Sequence, residues 1–305
     1  MKAKAVAAVA AVMAVGCAHA VQLNEIVVNV AAKADVSPVL DGRLDDDAWK
    51  SAPVHTRFYE YYKSHPKPAP IKSEMRLLYT DKALWIGLIH YEDAVDRLKV
   101  VGTARDSVDW YEDMDEIYID PYGDAVGFTK LLVNSAGVIG DMRRIDGSVV
   151  LKEWSGNAWR AKTSVASDRW CVEVCIPYSD LQRPPVPGGP LWRICVTRYQ
   201  WTSGKFVGSV SSPRGAYNNP SGFGYLYFLP PGDTPDGDVL VAALKGKVAP
   251  PWCLALADTI LYDTGDGVKV RSGDVTAFLA AEEKADRDRM ESFRKKLEVE
   301  FGGNK

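Results

Sequence analysis

Histidine is scarce in this sequence: four occur in 305 residues, and only His55, His65 and His90 lie beyond residue 20. Acyl-transfer catalysis sets a nucleophile against a base that is usually histidine. The chain also lacks the Gly-x-Ser-x-Gly motif of many such nucleophiles, and it has no P-loop, dinucleotide fingerprint or His-Glu-x-x-His motif. The sequence therefore gives no support to acyl transfer, nucleotide-dependent chemistry or zinc-dependent proteolysis.

Cysteine is also sparse, with five residues and no Cys-x-x-Cys or Cys/His spacing typical of zinc sites. Cys171 and Cys175 fall four residues apart on one predicted strand, which separates them by about 13 Å, too far for a mutual disulfide. We expect buried free thiols, with a Cys171–Cys195 cross-strand disulfide as the alternative.

Charge of either sign is not in excess, since 37 basic and 40 acidic side chains give a formal net charge of -3. This balance excludes the strongly basic footprint of a nucleic-acid-binding protein. After residue 20 no apolar run approaches the ~18 residues that span a bilayer. Trp and Tyr, by contrast, are plentiful, with 9 and 14 against 8 Phe. Such rings join an apolar face to a polar tip and suit surfaces that stack on ligands.

The N-terminus predicts export. Lys2 and Lys4 precede an apolar stretch at 5–15, as in a secretory signal peptide. Two processing routes remain open. Residues 18–20 (AHA) form a small-x-small cleavage site, whereas Cys17, in the lipobox-like AVGC, could become a lipidated first residue. We expect a periplasmic, cell-surface lipoprotein or extracellular location, with lipid-anchored membrane association as one alternative.

Short segments rich in β-branched and aromatic residues, bounded by turn-forming residues, predict strands through the middle of the chain. Helical periodicity is thin there, so we predict an all-β fold, an antiparallel sandwich, with a C-terminal hairpin and helix appendage. The predicted strands are Met75–Tyr79, Leu84–Tyr91, Glu116–Asp120, Phe128–Val133, Trp170–Ile176 and Trp192–Tyr199.

Composition shifts divide the chain into five predicted parts. They are a signal peptide at 1–20, an N-terminal leader at 21–37, the sandwich at 38–229, a Pro/Gly-rich linker at 230–250, and a hairpin plus charged helix at 251–305.

Residues 109–120 (DWYEDMDEIYID) concentrate carboxylates beside Trp110. Strand alternation predicts that Ile117 and Ile119 point into the core and that Glu116 and Tyr118 lie on the opposite face. An aromatic ring next to a carboxylate suits sugar binding, because the ring covers the C–H face of a pyranose while the carboxylate accepts hydrogen bonds from its hydroxyls.

Several collinear motifs resemble the family 9 carbohydrate-binding modules, and together they cover about residues 38–229. These motifs are 38–49 (PVLDGRLDDDAW), 75–87 (MRLLYTDKALWIG), 110–120 (WYEDMDEIYID), 172–177 (VEVCIP) and 217–224 (YNNPSGFG).

The resemblance implies a jelly-roll sandwich, often with structural calcium, that binds sugar chain ends between two aromatic rings without catalysis of its own. It places these rings at Trp110 and Tyr217, the carboxylate at Glu116 and an amide position at Arg214. A sugar-contacting arginine of the family falls at Leu132, where Lys130 or Arg214 could substitute. Two further residues complete the predicted ligand-binding set: Asn218, and Trp201, which lies in the loop 199–204. We therefore predict an exported, non-catalytic carbohydrate-binding protein that supports polysaccharide breakdown or uptake.

Other functions remain open at this stage. Related sandwich domains carry a b-type haem for electron transfer, and the candidate axial ligands here are Met75, His90, Met114 and Met142. A glycoside hydrolase would need two carboxylates, for which the candidates are Asp113, Asp115 and Glu116. The charged helix predicted at 274–301 could bind a protein partner.

Overall fold

The computed structural model describes residues 26–61, 68–145, 150–151, 154–212, 218–234, 237–248, 252–256, 259–263, 269–272 and 291. Within these residues the chain forms seventeen strands and three short α-helices. The strands are β1 (Ile26–Lys33), β2 (Val54–His55), β3 (Tyr59–Glu60), β4 (Ser73–Tyr79), β5 (Ala83–Tyr91), β6 (Met114–Asp120), β7 (Phe128–Asn134), β8 (Ile139–Arg144), β9 (Val150–Leu151), β10 (Arg160–Val165), β11 (Arg169–Pro177), β12 (Trp192–Gln200), β13 (Val207–Val210), β14 (Gly224–Phe228), β15 (Trp252–Leu256), β16 (Thr259–Asp263) and β17 (Lys269–Ser272). The helices are α1 (Asp47–Lys50), α2 (Tyr178–Leu181) and α3 (Gly237–Leu244).

The strands form two sheets, which confirms the predicted all-β sandwich. In the first sheet the order is β9-β8-β7-β6-β12, and β12 then pairs with β14 along one half and with β13 along the other. In the second sheet the order is β10-β11-β5-β4, and β4 pairs with both β2 and β1. Apart from the pairings of β1, these ladders are antiparallel.

The main core lies between the two sheets. Ile117 and Ile119 of β6 pack there with Ile86 of β5 and Val174 of β11, all fully buried. On the other face of β6, Tyr118 belongs to a second buried cluster. The predicted alternation of β6 is therefore confirmed, but both of its faces are covered, because all seven residues of the strand are buried.

Strand β1 lies within residues 21–37, which the sequence predicts as a leader. It pairs in parallel with β14, with Val28 opposite Tyr225, and its last residues pair in parallel with β4, where Lys33 faces Tyr79. By pairing with a strand of each sheet, β1 joins the two layers along one edge. This part of the leader is consequently a structural element of the sandwich.

Helix α3 lies within residues 230–250, which the sequence predicts as a linker. Leu240 and Leu244 of α3 are fully buried against Val28 and Val30 of β1, so this segment packs on the first sheet. The predicted C-terminal hairpin is present as β16–β17, with Tyr262 opposite Val270. The signal peptide predicted at 1–20 lies outside the described residues, as does the helix predicted at 274–301 apart from Glu291.

A buried carboxylate fastens the loop before α1 to the second sheet. Glu173 of β11 accepts hydrogen bonds from the main-chain N–H groups of Asp41 (2.9 Å) and Gly42 (2.6 Å), and from the indole N–H of Trp49 (2.7 Å). Gly42 has a φ of +88°, and a Cβ there would lie 2.6 Å from the main-chain carbon of Thr163, so only glycine fits without strain. The motif at 38–49 thus covers the outer side of this sheet.

Cys171, Cys175 and Cys195 are free thiols, which rules out the alternative Cys171–Cys195 disulfide. Burial raises the pKa of Cys171 and Cys175 to about 11. No helix in the described part of the chain is both long and apolar enough to cross a membrane.

Candidate functional site

An exposed group of aromatic side chains lies at the start of β6. Trp110 and Tyr111, both 61% exposed, stand on the loop that leads into this strand. The indole N–H of Trp201 donates a 2.9 Å hydrogen bond to the main-chain carbonyl of Trp110, and the Trp201 ring lies 5.5 Å from that of Tyr111. These three residues are called the aromatic rim below.

The loop that carries the rim is held by two buried carboxylates. Asp113 accepts hydrogen bonds from the main-chain N–H groups of Trp201 (2.9 Å) and Lys99 (2.8 Å), and so ties the end of β12 to this loop. Glu112 is fully buried, and its carboxylate accepts hydrogen bonds from the main-chain N–H groups of Val101 (2.7 Å) and Asp109 (2.6 Å). Burial raises the pKa of Asp113, because its charge is partly removed from water. The exposed rings are thus presented by fixed backbone.

Lys99 adds a positive charge to the rim. Its ammonium lies 4.8 Å from the centre of the Trp201 ring and 5.9 Å from that of Tyr111, within the range of cation–π attraction. Lys99 lies in none of the sequence motifs, and Tyr111, although it lies in the motif at 110–120, has no sequence feature that marks it as a ligand contact.

Glu116 and Lys130, called the floor pair below, lie on the neighbouring strands β6 and β7. Glu116 is fully buried and Lys130 is 4% exposed, and Lys130 Nζ lies 2.5 Å from Glu116 Oε1. Glu116 Oε2 accepts a hydrogen bond from the Tyr118 hydroxyl at 2.6 Å and from the Tyr199 hydroxyl at 3.3 Å. Desolvation, followed by the neighbouring Glu116, raises the pKa of Tyr118 well above its usual value, so this hydroxyl keeps its proton.

Aromatic side chains connect the floor pair with the rim. The Phe206 ring lies 5.2 Å from the Tyr199 ring and 5.7 Å from the Trp201 ring. Tyr61 packs edge-on against Tyr199 at 5.8 Å, and their hydroxyls lie 3.3 Å apart. The sequence pattern did not single out Tyr199, although alternation along β12 places it on the same face as Thr197, which pairs with Glu116.

The remaining predicted ligand-binding residues fall elsewhere. Arg214 and Tyr217 lie outside the described residues. Asn218 is exposed, has a φ of +65°, and accepts a 2.7 Å hydrogen bond on its carbonyl from Arg144, at the end of β8. The structure thus brings together Trp110 and Trp201 at the rim, and Glu116 and Lys130 at the floor, whereas Asn218 lies beside Arg144. Cys17 precedes the described residues.

The candidate haem ligands do not come together. Met75 is buried in the core between the sheets, whereas Met114 belongs to the cluster on the other face of β6. Both ring nitrogens of His90 are occupied: Nδ1 lies 3.0 Å from the Ser73 hydroxyl and Nε2 lies 2.9 Å from Asp115 Oδ2. Met142 lies on β8 opposite Lys130, in the first sheet. Met75, Met114 and His90 therefore do not form a ligand pair for a b-type haem.

The carboxylates considered for glycoside hydrolysis do not face one space. Asp115 bonds to His90 on one side of β6, and Glu116 bonds to Lys130 on the other. Both oxygens of Asp113 accept main-chain hydrogen bonds. Among the described residues, no three His, Cys, Asp or Glu side chains come together as a metal site, so the calcium implied by the resemblance has no carboxylate cage in this part of the chain.

One protein-family model matches the sequence. The family model described as "Carbohydrate family 9 binding domain-like" matches residues 40–228, which is more than half of the chain. This match confirms the resemblance seen in the motifs. No curated protein matches the sequence.

Several solved structures are similar to the chain, among them the following three. A Bacteroides uniformis ATCC 8492 protein, provisionally described as carbohydrate-binding, has 14% identity and a TM-score of 0.54, covering 66% of this chain and 98% of its own. A family 9 carbohydrate-binding module from Caldicellulosiruptor kristjanssonii has 19% identity and a TM-score of 0.49. Its cellotriose complex covers 69% of this chain and 99% of its own. Its glucose complex has the same identity and TM-score, covering 68% and 100%. At such identity the Bacteroides structure supports the fold alone.

Proposed function

The chain belongs to the carbohydrate family 9 binding domain-like family, and on that premise we propose that it binds a neutral saccharide, without catalysis, at the aromatic rim. The observation that carries the proposal is the exposure of Trp110 and Tyr111 on a loop that buried carboxylates hold in place. Because the backbone that carries these rings is held before a ligand arrives, binding does not have to order the loop, which lowers its entropic cost.

The rim supplies the apolar contact that a pyranose needs. Trp110, Tyr111 and Trp201 offer ring faces to the C–H groups of a sugar, while the Trp110 indole N–H, the Tyr111 hydroxyl and the Lys99 ammonium offer polar contacts at the edges. Affinity should be modest, because each sugar hydroxyl exchanges a hydrogen bond to water for one to the protein.

We assign Glu116 and Lys130 a positioning role. Both are almost completely buried, and Glu116 holds the Tyr118 and Tyr199 hydroxyls. Through Tyr199 and Phe206 this arrangement supports the Trp201 ring from below. Asn218, the residue after Tyr217, lies beside Arg144 at the other end of β6 from the rim. We therefore give Tyr217 and Arg214 no role as a second stacking ring and its polar neighbour at the rim, and Tyr217→Ala should leave neutral-saccharide affinity unchanged.

A calorimetric titration of the protein against neutral gluco-, xylo- and manno-oligosaccharides tests the proposal. We expect at least one of them to bind with a Kd below about 1 mM and to change tryptophan fluorescence. Absence of binding across the three series, with the protein shown to be folded by thermal denaturation, would contradict it.

We also propose that the protein is exported and supports polysaccharide breakdown or uptake, alone or beside a protein partner of its C-terminal region. The support is the signal-like sequence at 1–20, with its basic start and apolar stretch. Mass spectrometry of the protein purified from its native host distinguishes the two routes: an N-terminus at Val21 indicates cleavage after AHA, and a diacylated Cys17 indicates a lipoprotein. An intact N-terminus would contradict export.

A further inference from the structure

A second ligand-sized cleft lies at the opposite end of β6 from the aromatic rim. Its volume is about 640 Å³, which is within the ~300–1,000 Å³ of typical ligand pockets. The side chains that matter here are Tyr122, Phe128, Arg143, Arg144, Trp154 and Asp124. Because β6 has seven residues and a strand rises ~3.3 Å per residue, the cleft lies about 20 Å from the rim. We call it the arginine cleft.

The loop that forms one wall of the cleft is built by a buried carboxylate. Asp120, the last residue of β6, accepts hydrogen bonds from the main-chain N–H groups of Tyr122 (3.0 Å), Gly123 (2.9 Å) and Ala125 (2.9 Å). These bonds fix the turn that presents Tyr122, whose side chain is 55% exposed. Both carboxylate oxygens of Asp120 therefore accept hydrogen bonds from the loop itself, and we do not count Asp120 among the groups that would contact a ligand.

Two arginines of β8 line the cleft and lie against aromatic rings. The Arg143 guanidinium lies 4.1 Å from the centre of the Trp154 ring and donates one of its five N–H groups to the Asp180 carbonyl. Arg144 lies 5.8 Å from the Phe128 ring centre, and its donation to the Asn218 carbonyl fixes its position. Ring and carbonyl contacts thus hold both guanidinium groups at the cleft.

Positive charge exceeds negative charge among these lining residues. Asp124 is the one carboxylate among the described side chains that line the cleft, and its Oδ1 accepts a hydrogen bond from the Val126 N–H at 2.9 Å. Outside the lining, the Arg183 guanidinium lies 5.2 Å from the Tyr122 ring, and the charges of Asp180 and Asp141 act on Arg143. Partial burial lowers the pKa of Arg143, which reflects incomplete hydration of its charge, and a guanidinium stays protonated at any physiological pH.

From this arrangement we propose that the arginine cleft binds an acidic pyranose unit, in which a carboxylate or sulfate ester pairs with Arg143 and Arg144 while the sugar ring packs on Tyr122 or Trp154. Planar guanidinium forks recognise such anions through paired, charge-assisted hydrogen bonds. The cleft and the rim share no residue, so this inference goes beyond the neutral-saccharide function and can stand if that proposal fails.

Calorimetric titrations of the full chain with trigalacturonate, glucose 6-sulfate and cellotriose test the inference. We expect at least one acidic probe to bind, and Arg143→Gln or Arg144→Gln to weaken it about tenfold. The tighter acidic probe identifies carboxylate or sulfate as the preferred group. Arg43→Gln is the matched control, because it removes an exposed arginine from the loop before α1. Trp110→Ala should leave acidic-probe affinity unchanged.

Three results would overturn the inference: no binding of either acidic probe to folded protein, equal weakening by Arg43→Gln, or cellotriose binding that depends equally on Arg143 and Arg144. Should Arg143→Gln fail to fold through loss of its bond to Asp180, Arg144→Gln decides the outcome. Loss of cellotriose binding in Trp110→Ala, with acidic-probe binding intact, separates the rim from the cleft.

Discussion

The indole N–H of Trp201 donates a 2.9 Å hydrogen bond to the main-chain carbonyl of Trp110. This bond joins the loop after β12 to the loop before β6, two segments distant in sequence. It also sets the Trp201 ring beside the exposed Tyr111 ring. The geometry of the rim therefore depends on one side-chain hydrogen bond in addition to the backbone contacts of Asp113.

Trp201→Phe should test the contribution of this bond, because phenylalanine keeps a ring but has no N–H donor. We expect saccharide affinity to fall several-fold and the free energy of unfolding to fall by about 1 kcal/mol, as for one neutral hydrogen bond. Calorimetry and urea denaturation measure the two effects. Unchanged affinity in a folded Trp201→Phe protein would mean that the rim does not need this bond.

Because Glu116 and Lys130 are buried against each other, we expect the effects of their substitutions on the free energy of unfolding to be strongly coupled. Glu116→Gln leaves the Lys130 ammonium buried without a counter-charge, which should lower the free energy of unfolding by about 3–5 kcal/mol. Lys130→Met should be costly for the converse reason. The double variant should lose less than the sum of the two single losses, and urea denaturation of all four proteins completes the cycle. Additive losses would show that the two charges do not interact.

We expect substitution of Glu173 to lower the stability of the protein without weakening saccharide binding. Glu173→Gln replaces one carboxylate oxygen by an NH₂ group that faces N–H donors, so at least one charge-assisted hydrogen bond is lost, at about 2–3 kcal/mol. Since Glu173 fastens the loop before α1 to the second sheet, saccharide affinity should stay unchanged. Weaker binding by the folded variant would contradict this separation of roles.

We expect the free energy of unfolding to depend on pH through the protonation of His90. Burial lowers the pKa of His90 below its usual 6.5, against the opposing effect of Asp115. The unfolded chain therefore takes up this proton first as pH falls, so the stabilisation is complete above pH 6.5 and declines below it. The slope reaches at most about 1.4 kcal/mol per pH unit for one proton.

Comparison with His90→Gln isolates this effect, because burial raises the pKa of Asp113, Asp120 and Asp141, and these carboxyls favour folding as pH falls. The difference in unfolding free energy between the two proteins should shrink from pH 7 to pH 5. A difference independent of pH would mean that His90 takes up its proton equally in both states.

The sequence predicts the sandwich well because strand alternation and turn residues are local signals. It places Ile117 inward and Glu116 outward on β6, and the structure agrees. It does not predict that Glu116 is buried, because Tyr199, whose hydroxyl bonds to Glu116, and Tyr61, which packs on Tyr199, come from distant segments of the chain. Alternation tells which face a residue occupies but not what covers that face.

The sequence does not predict strand β1, which lies outside the predicted sandwich domain, for a related reason. The pairing of β1 with β14 joins residues almost 200 positions apart, and no local pattern at 26–33 reveals a partner so distant. At the site, Trp110 could be identified from its motif, whereas Lys99 and Tyr111 become recognisable only when the loop folds against Trp201.

The central claim is most directly tested by the affinity of Trp110→Ala for the neutral saccharide that binds the native protein most tightly, measured by calorimetry beside Tyr122→Ala. Both variants remove an aromatic side chain that is more than half exposed, one from the rim and one from the arginine cleft. We expect at least a tenfold loss of affinity for Trp110→Ala and none for Tyr122→Ala, with unchanged thermal stability in both. Native affinity in Trp110→Ala would contradict binding at the rim.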